Sequence, residues 1–400
     1  MSSKAKTQNG RSRSASLFRI AAVFLCVCLF SGGKSQAQSA FSSGSTGHEG
    51  ALNITAAGVT YFDPVAMNLN PVVPGIFNFT TINVASGSTL KFSENKYHGS
   101  VYFLASGDVT IAGTLDLSGE ASYGSLASTN QSQRIPNAAG SGGFSGGIGG
   151  FGSTNLPALP GNGPGGGAAG TSSGGTSGTN PSNQFLVPLM GGSGGGGHYS
   201  NGAIGGAGGG AILIASSTTI YVSGTINANG RTGFISSSGV GAGGAVRLVA
   251  TTIQAGGTVD VRYGGSVTAS SGVARFESNN LGGPTNIYGA YSKSVPYALN
   301  LPSTPTPSIK VAILNGQEIN ANPFTFPDVT LTGGSQVPIT VEARYVPVGT
   351  VAKIYIFSEA GPDQVINIGP LTGNDYTLTT AFTTITYPPG GSRGYVKATW

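Results

Sequence analysis

Three segments of twenty residues can be laid on one another: SVYFLASGDVTIAGTLDLSG (Ser100 to Gly119), AILIASSTTIYVSGTINANG (Ala211 to Gly230) and AVRLVATTIQAGGTVDVRYG (Ala245 to Gly264). Self-similarity constrains a chain more than any single motif, because copies of one unit must stack on one another. Each copy reads as three short strands; in the second they are AILIA, TIYVS and TINAN, with small or glycine residues at the corners. Gly113-Thr114, Gly224-Thr225 and Gly257-Thr258 open the third strand of each copy. The second and third copies start 34 residues apart, a half-copy precedes them (TINVASGSTLKFS, Thr81 to Ser93) and a partial copy, GVARFES (Gly272 to Ser278), follows. Abundant Gly, Thr, Ser, Val and Ile, without sustained helical periodicity, predict an all-β chain.

Strand, corner and strand repeated in this way is the pattern of a parallel β-helix, in which each strand pairs with its counterpart one rung later. Alternation places Ile212 and Ile214 on the inner side and Leu213 on the other, with Ile212 over Val246 and Ile226 over Val259. Glycine corners accommodate the bends, some of them with positive φ. An antiparallel sandwich is the competing architecture; the three-way registration favours the helix.

Between the first two copies the chain changes character. From Gly140 to Gly210 there are 29 glycines in 71 residues, and from Ile135 to Gly230 there is no Asp, Glu, Lys or Arg. A segment of this composition buries little side-chain surface, yet it carries Phe144, Ile148, Phe151, Leu156, Phe185, Leu186 and Leu189. It can be an ordered lobe against the sheet, a packing of polyglycine II strands, or flexible chain; a partly ordered cover is the expectation. Past position 280, Pro296, Pro302, Pro305 and Pro307 suggest a stiff linker. Seven strand-like runs follow, IKVAIL to GYVKATW. Their spacing suggests an immunoglobulin-like β-sandwich, without the Cys and Trp signature of antibody domains. The expected organisation is a signal peptide (1–37), an N-terminal cap (38–79) and a glycine-rich parallel β-helix (80–290, insertion 120–210). A Pro-rich linker (291–308) and an immunoglobulin-like β-sandwich (309–400) complete it.

The N-terminus reads as an export signal of bacterial type. Lys4, Lys6, Arg11, Arg13 and Arg19 precede an eleven-residue apolar run, Ile20 to Phe30, and Ser35-Gln36-Ala37 offers a small-x-small cleavage site. Cleavage is expected after Ala37, with Ala40 as second choice. The apolar run is too short to span a bilayer, and no segment beyond it is long and apolar enough to do so. Removing the leader takes away both cysteines and leaves thirteen Lys and Arg against fourteen Asp and Glu. The basic character of the whole chain thus belongs to the leader, and the mature chain has no electrostatic footprint for nucleic acid. It also has no thiolate for a disulfide or metal site.

Residues 80 to 280 resemble the glycine-rich right-handed parallel β-helices secreted by bacteria. The resemblance rests on the openings GGGAILIA (Gly208 to Ala215) and GAGGAVRLVA (Gly241 to Ala250) and the closings GTINANG and GTVDVRYG. That architecture is shared by pectate-lyase-like enzymes, haemagglutinin-type adhesins and autotransporter passengers, so the resemblance implies a fold and leaves function open. Polysaccharide lyases of the group pair clustered acids for calcium with a basic residue, and no such cluster is visible in this sequence.

Chemistry-bearing residues are few. Aligning the copies puts Asp116 and Asp260 at one position with Asn227 between them, and Arg262 two residues beyond Asp260 on the same face. Stacked rungs would hold the two carboxylates about 10 Å apart, near the upper range used by inverting glycosidases. Asp116, Asp260 and Arg262 are therefore the candidate catalytic set, with Glu120 as a further acid; a solvated polar ladder is the plainer reading. His48, His98 and His198 lack metal-ligand spacing, and glycine-run matches to nucleotide motifs follow from composition alone. No metal site and no cofactor are expected. Tyr97, Tyr102, Tyr123, Tyr199, Tyr221 and Tyr263 could stack on sugars or be ordinary strand residues. The leading expectation is a secreted or cell-surface, non-enzymatic structural or adhesion protein whose partners are extracellular polysaccharide or cell-surface components. The second reading is a polysaccharide lyase, glycoside hydrolase or lectin acting on the β-helix face.

Overall fold

Short runs of β-branched and aliphatic residues between small corner residues make strands that bend every few positions, and the computed structural model is all-β. It describes residues 40–400 except 74, 121–135, 152–156, 201, 265–270, 283–285, 303–306, 320–328, 332–335, 359–361, 375–377, 389, 391 and 400. The expected signal peptide lies outside the described residues.

From Gly50 to Ser294 the chain steps back and forth between a broad and a narrow parallel sheet. In order the strands are β1 (Gly50–Ile54), β2 (Gly58–Tyr61), β3 (Ile76–Val84), β4 (Ser88–Lys91), β5 (Val101–Ala105), β6 (Val109–Ile111) and β7 (Thr114–Asp116). They continue as β8 (Ala211–Val222), β9 (Thr225–Asn227), β10 (Ala245–Ala255), β11 (Thr258–Asp260), β12 (Val273–Gly282), β13 (Asn286–Tyr288) and β14 (Ala290–Ser294). The broad sheet runs β1-β3-β5-β8-β10-β12-β14, with β6 pairing β3 and β8; the narrow sheet runs β2-β4-β7-β9-β11-β13. The copies stack in the register their alignment demands, Ile212 opposite Val246 and Ile226 opposite Val259. Inward side chains of both sheets, among them Leu90, Leu115, Ile226 and Val259 from the narrow one and Ile212, Ile214, Val246 and Leu248 from the broad one, share a single core.

Three expectations change or gain detail. The first two strands of a copy are continuous in β8 and β10 and separate only in the first copy, as β5 and β6, so the repeat makes two sheets. Positive φ occurs at the corner glycines Gly58 (98°) and Gly87 (83°) but not at Gly113, Gly224 and Gly257. The latter are needed because a Cβ on Gly224 would lie 1.9 Å from the Gly113 carbonyl oxygen and one on Gly257 would lie 2.1 Å from that of Gly224. Finally, the stretch 38–79 supplies β1, β2 and the start of β3, and the stretch 291–308 begins within β14. The segment after Ala40 runs along the corners of the rungs: the Phe41 N–H donates to Thr251 Oγ1 (3.2 Å), the Ser43 hydroxyl to the Ala105 carbonyl (2.7 Å) and the Ser45 hydroxyl to the Phe79 carbonyl (2.7 Å).

The glycine-rich segment is ordered over most of its described length, without strands. Its centre is residues 191–198, and the hydrogen bonds there repeat every three residues. The N–H groups of Gly192, Gly195 and His198 donate to Gly209, Gly206 and Ala203. Those of Ser193 and Gly196 donate to Thr179 and Thr176, and those of Gly194 and Gly197 to Asn162 and Leu159. The carbonyls follow the same rule: Gly192, Gly195 and His198 accept from Phe144, Gly147 and Gly150; Ser193 and Gly196 from Ala242 and Gly239; Gly194 and Gly197 from Gly167 and Gly170. Six backbone segments thus surround one. Three residues per turn without internal hydrogen bonds is the period of the polyproline II and polyglycine II helix, so the second of the three sequence options describes this segment. Every backbone polar group of a buried segment needs a partner, and a threefold helix offers its N–H and C=O groups in three directions.

The outer face of the broad sheet is covered as well. Leu186 and Leu189 from the glycine-rich segment, with Phe41, Leu299 and Leu301, pack on Ile76, Leu104, Leu213 and Val249. Beneath this cover lies a buried ion triad. Glu277, fully inaccessible, accepts on Oε1 from Arg247 Nε (2.9 Å) and Arg275 Nε (2.6 Å), while its Oε2 accepts from the Tyr297 N–H (3.1 Å). Arg275 also donates to Ser292 and Ser294 Oγ (3.1 and 2.9 Å).

The C-terminal part is antiparallel. Its strands are β15 (Ser308–Leu314), β16 (Gln317–Glu318), β17 (Gln336–Arg344), β18 (Ala352–Ser358), β19 (Gln364–Ile368), β20 (Thr372–Asn374), β21 (Leu378–Thr386) and β22 (Ser392–Ala398). They form two sheets, β16-β15-β17-β21-β20 and β19-β18-β22, over a common core of Leu314, Val337, Ile339, Val341, Ile354, Ile356 and Ile385. Of the seven runs anticipated there, DVTLTG forms no strand among its described residues.

Two stability measurements follow. A Cβ at Gly196 would meet the Ala168 carbonyl oxygen at 1.9 Å, whereas at Gly256 it would meet nothing within 4 Å. Gly196→Ala is expected to lower unfolding free energy by about 1–3 kcal/mol, and Gly256→Ala to stay within about 0.5 kcal/mol of the parent; urea melts compare them. Glu277→Gln strands two buried guanidinium groups and is expected to cost about 3–5 kcal/mol in the same assay.

Candidate functional site

The outward positions of the narrow sheet form two columns, because in-register strands repeat their side-chain direction every second residue. One column is Thr89, Thr114, Thr225 and Thr258; the other is Tyr61, Lys91, Asp116, Asn227, Asp260 and Tyr288. Asp116, Asn227 and Asp260 therefore stand in line as their alignment predicts. Lys91 and Tyr288 extend that line and were missed, although the half-copy already carried the signal: Lys91 in STLKF occupies the place of Asp116 in GTLDL.

Each carboxylate of the column has a cation. Lys91 Nζ, on a side chain almost wholly buried, lies 3.0 Å from Asp116 Oδ2 and also donates to the Ser118 carbonyl (2.9 Å). Asp116 Oδ1 accepts from the Ser118 N–H (2.9 Å) and hydroxyl (2.6 Å). Asp260 is gripped by Arg262 through Nε to Oδ1 (3.0 Å), Nη2 to Oδ2 (2.6 Å) and the backbone N–H to Oδ1 (3.1 Å). Burial pushes the Asp260 carboxyl up, but the Arg262 and Asn229 hydrogen bonds outweigh it and hold it below the usual carboxylate range. The Arg262 guanidinium lies 4.4 Å over the Tyr288 ring, and its side chain is 52% exposed against 11% for Asp260.

Beside this pair is an open groove of about 490 Å³ lined by Ser118, Asn227, Asn229, Arg231, Arg262 and Tyr263 together with Gly230, Thr232 and Gly264. Arg231 is anchored by donation from Nε to the Gly119 carbonyl (2.7 Å). Arg231 and Asn229 were not singled out in the sequence; they follow the third strand of the second copy, as Arg262 follows that of the third.

Other candidates go elsewhere. Glu120 does not line the groove; it faces Glu94, and its Oε1 is buried without a hydrogen-bond partner. Burial and, secondarily, the Glu120 charge push the Glu94 carboxyl up to about 7, against hydrogen bonds from the Ala139 N–H (2.8 Å) and Ser145. Tyr97 packs edge-on against Phe62 and Phe77, and Tyr102 is buried. Tyr199 and Tyr221 are exposed away from the groove, Tyr263 lines it, and Tyr123 lies outside the described residues. His198 is buried at the end of the central glycine segment, its Nδ1 accepting from the Ser200 N–H (3.1 Å). Among the described residues no group of three or more His, Cys, Asp or Glu is placed to hold a metal ion, and no helix is long and apolar enough to cross a membrane.

No known family model, curated protein or solved structure matches the chain.

The Glu94 carboxyl sets a pH dependence. Its folded value, about 7, exceeds the ordinary 4.5, so the native state holds the extra proton between these limits. In chelator-treated protein, stability is expected to fall as pH rises from about 4.5 to about 7 and then level off. Glu94→Gln should flatten this slope in denaturant melts across that range.

Proposed function

We propose that this chain is a secreted or cell-surface, non-enzymatic structural or adhesion protein that binds extracellular polysaccharide on the outer face of its narrow parallel sheet. The observation that carries the non-enzymatic reading is the pairing of both column carboxylates, Asp116 with Lys91 at 3.0 Å and Asp260 with Arg262 at 2.6 Å. A general acid must hold a proton near working pH, and the Asp260 carboxyl is held below the usual carboxylate range against its burial by the Arg262 hydrogen bonds. What the face offers is recognition: exposed Arg231, Thr232 and Arg262 with half-buried Asn227, Asn229 and Tyr263.

Several features support the wider reading. The alternation of the chain between two sheets over one core fits a parallel β-helix, and two antiparallel sheets over a second core fit an immunoglobulin-like sandwich. Export rests on the basic leader, the apolar run and Ser35-Gln36-Ala37. Cleavage after Ala37 leaves only three residues before Phe41, whose backbone is tied to Thr251.

The test is a glycan array combined with a reducing-sugar and unsaturated-product release assay on pectins, xylans, glucans and alginates, with and without calcium. Binding without product release is the expected outcome. Turnover abolished by Asp260→Asn in a folded variant would replace this reading with that of a carbohydrate-active enzyme.

A further inference from the structure

Charge is scarce in this protein, which makes its placement informative. No Asp, Glu, Lys or Arg occurs from Ile135 to Gly230, and the first charged residue after that stretch, Arg231, shares a groove with Arg262 of the next rung. The two segments are joined by the Gly230 N–H donating to the Arg262 carbonyl (3.0 Å), and both arginines line the groove of about 490 Å³. Among the described residues Asp260 is the only carboxylate that contacts either of them, so the pair keeps an excess positive charge.

Both guanidinium groups are held at one edge and open at the other. Arg231 donates from Nε to Gly119, which leaves its two Nη groups without a partner among the described residues. Arg262 spends Nε and Nη2 on Asp260 and rests on Tyr288, which leaves Nη1. An arginine carries five N–H donors in a planar fork suited to carboxylate and to tetrahedral oxyanions. Neither side chain needs to reorganise to meet an anion, because each is already anchored. Asn229, which also lines the groove, directs its amide hydrogen bond to Asp260. Tyr263 adds an aromatic surface. An anionic group for two forks and a ring for a ring describe one kind of ligand.

We propose that Arg231 and Arg262 form a subsite for an acidic sugar unit of an extracellular polysaccharide. Its carboxylate or sulfate is held by the two guanidinium groups. This rests on the polysaccharide-binding reading above and narrows it to anionic glycans. Specificity comes from the local pair of arginines, since the chain without its leader carries slightly more acidic than basic residues.

The experiment titrates the exported protein with a carboxylated glycan (polygalacturonate), a sulfated glycan (carrageenan) and a neutral one (xylan), at low and high salt, by calorimetry. At least one anionic glycan is expected to bind, and the comparison of the two identifies the anionic group. The neutral glycan should bind at least about tenfold more weakly, and raising salt should weaken anionic binding through screening. Arg231→Gln should lose about tenfold or more in affinity, and Arg231→Lys should recover part of it. Lys310→Gln, on an exposed lysine of β15, should change nothing. Thermal melting of each variant establishes that it is folded. Equal binding of neutral and anionic glycans, or anionic binding indifferent to Arg231→Gln, would overturn the subsite and leave the polysaccharide reading standing. No binding to any glycan would overturn both.

Discussion

A parallel strand that pairs in register with its predecessor must place each side chain over the matching one, and the strands from β1 to β14 follow that rule. It stacks Ile212 on Val246 and Ile226 on Val259 to build the core, and it stacks Lys91, Asp116, Asn227 and Asp260 to build the polar column. The same spacing brings corner backbones so close that Gly224 has no room for a methyl group against Gly113. Core, column and corners are three consequences of one hydrogen-bonding register.

The glycine-rich segment carries that logic past the point where strands can follow it. A strand satisfies its neighbours in two directions within one sheet. The threefold segments around 191–198 satisfy theirs in three directions and pack on all sides, which only a backbone without side chains permits. Absence of charge from residues 191–198 then has a physical meaning: a segment surrounded by six others has no solvated face on which to place an ion. Leu186 and Leu189 stand where the segment meets the broad sheet and cover it.

Charge is handled differently on the two sheets. On the broad sheet, Arg247, Arg275 and Glu277 are sealed under the cover and satisfy one another, a structural arrangement whose disruption would leave uncompensated charge. On the narrow sheet, Lys91 and Asp116 are mostly buried, but toward Asp260 and Arg262 the column opens into the groove, where guanidinium donors remain available. The proposed recognition surface accordingly lies at the end of the column where the ions meet solvent.

The repeat alone determined the strand content, the pairing of copies and the alignment of Asp116, Asn227 and Asp260, because these follow from periodicity and need no knowledge of distant contacts. It determined the position of Lys91 too, through a half-copy whose register was readable. Tertiary structure decided the rest. Nothing local distinguishes a glycine run that packs in threefold helices from one that stays flexible, since the partners of Gly194 and Gly197 are Asn162 and Leu159, more than thirty positions away. The sharing of one groove by Arg231 and Arg262, the burial of Glu277 under a cover from Leu186 to Leu301, and the turn of Glu120 toward Glu94 all depend on which segments close over which rung. Such contacts arise from long-range packing, and a sequence pattern with a two-residue period reports only which face a side chain takes.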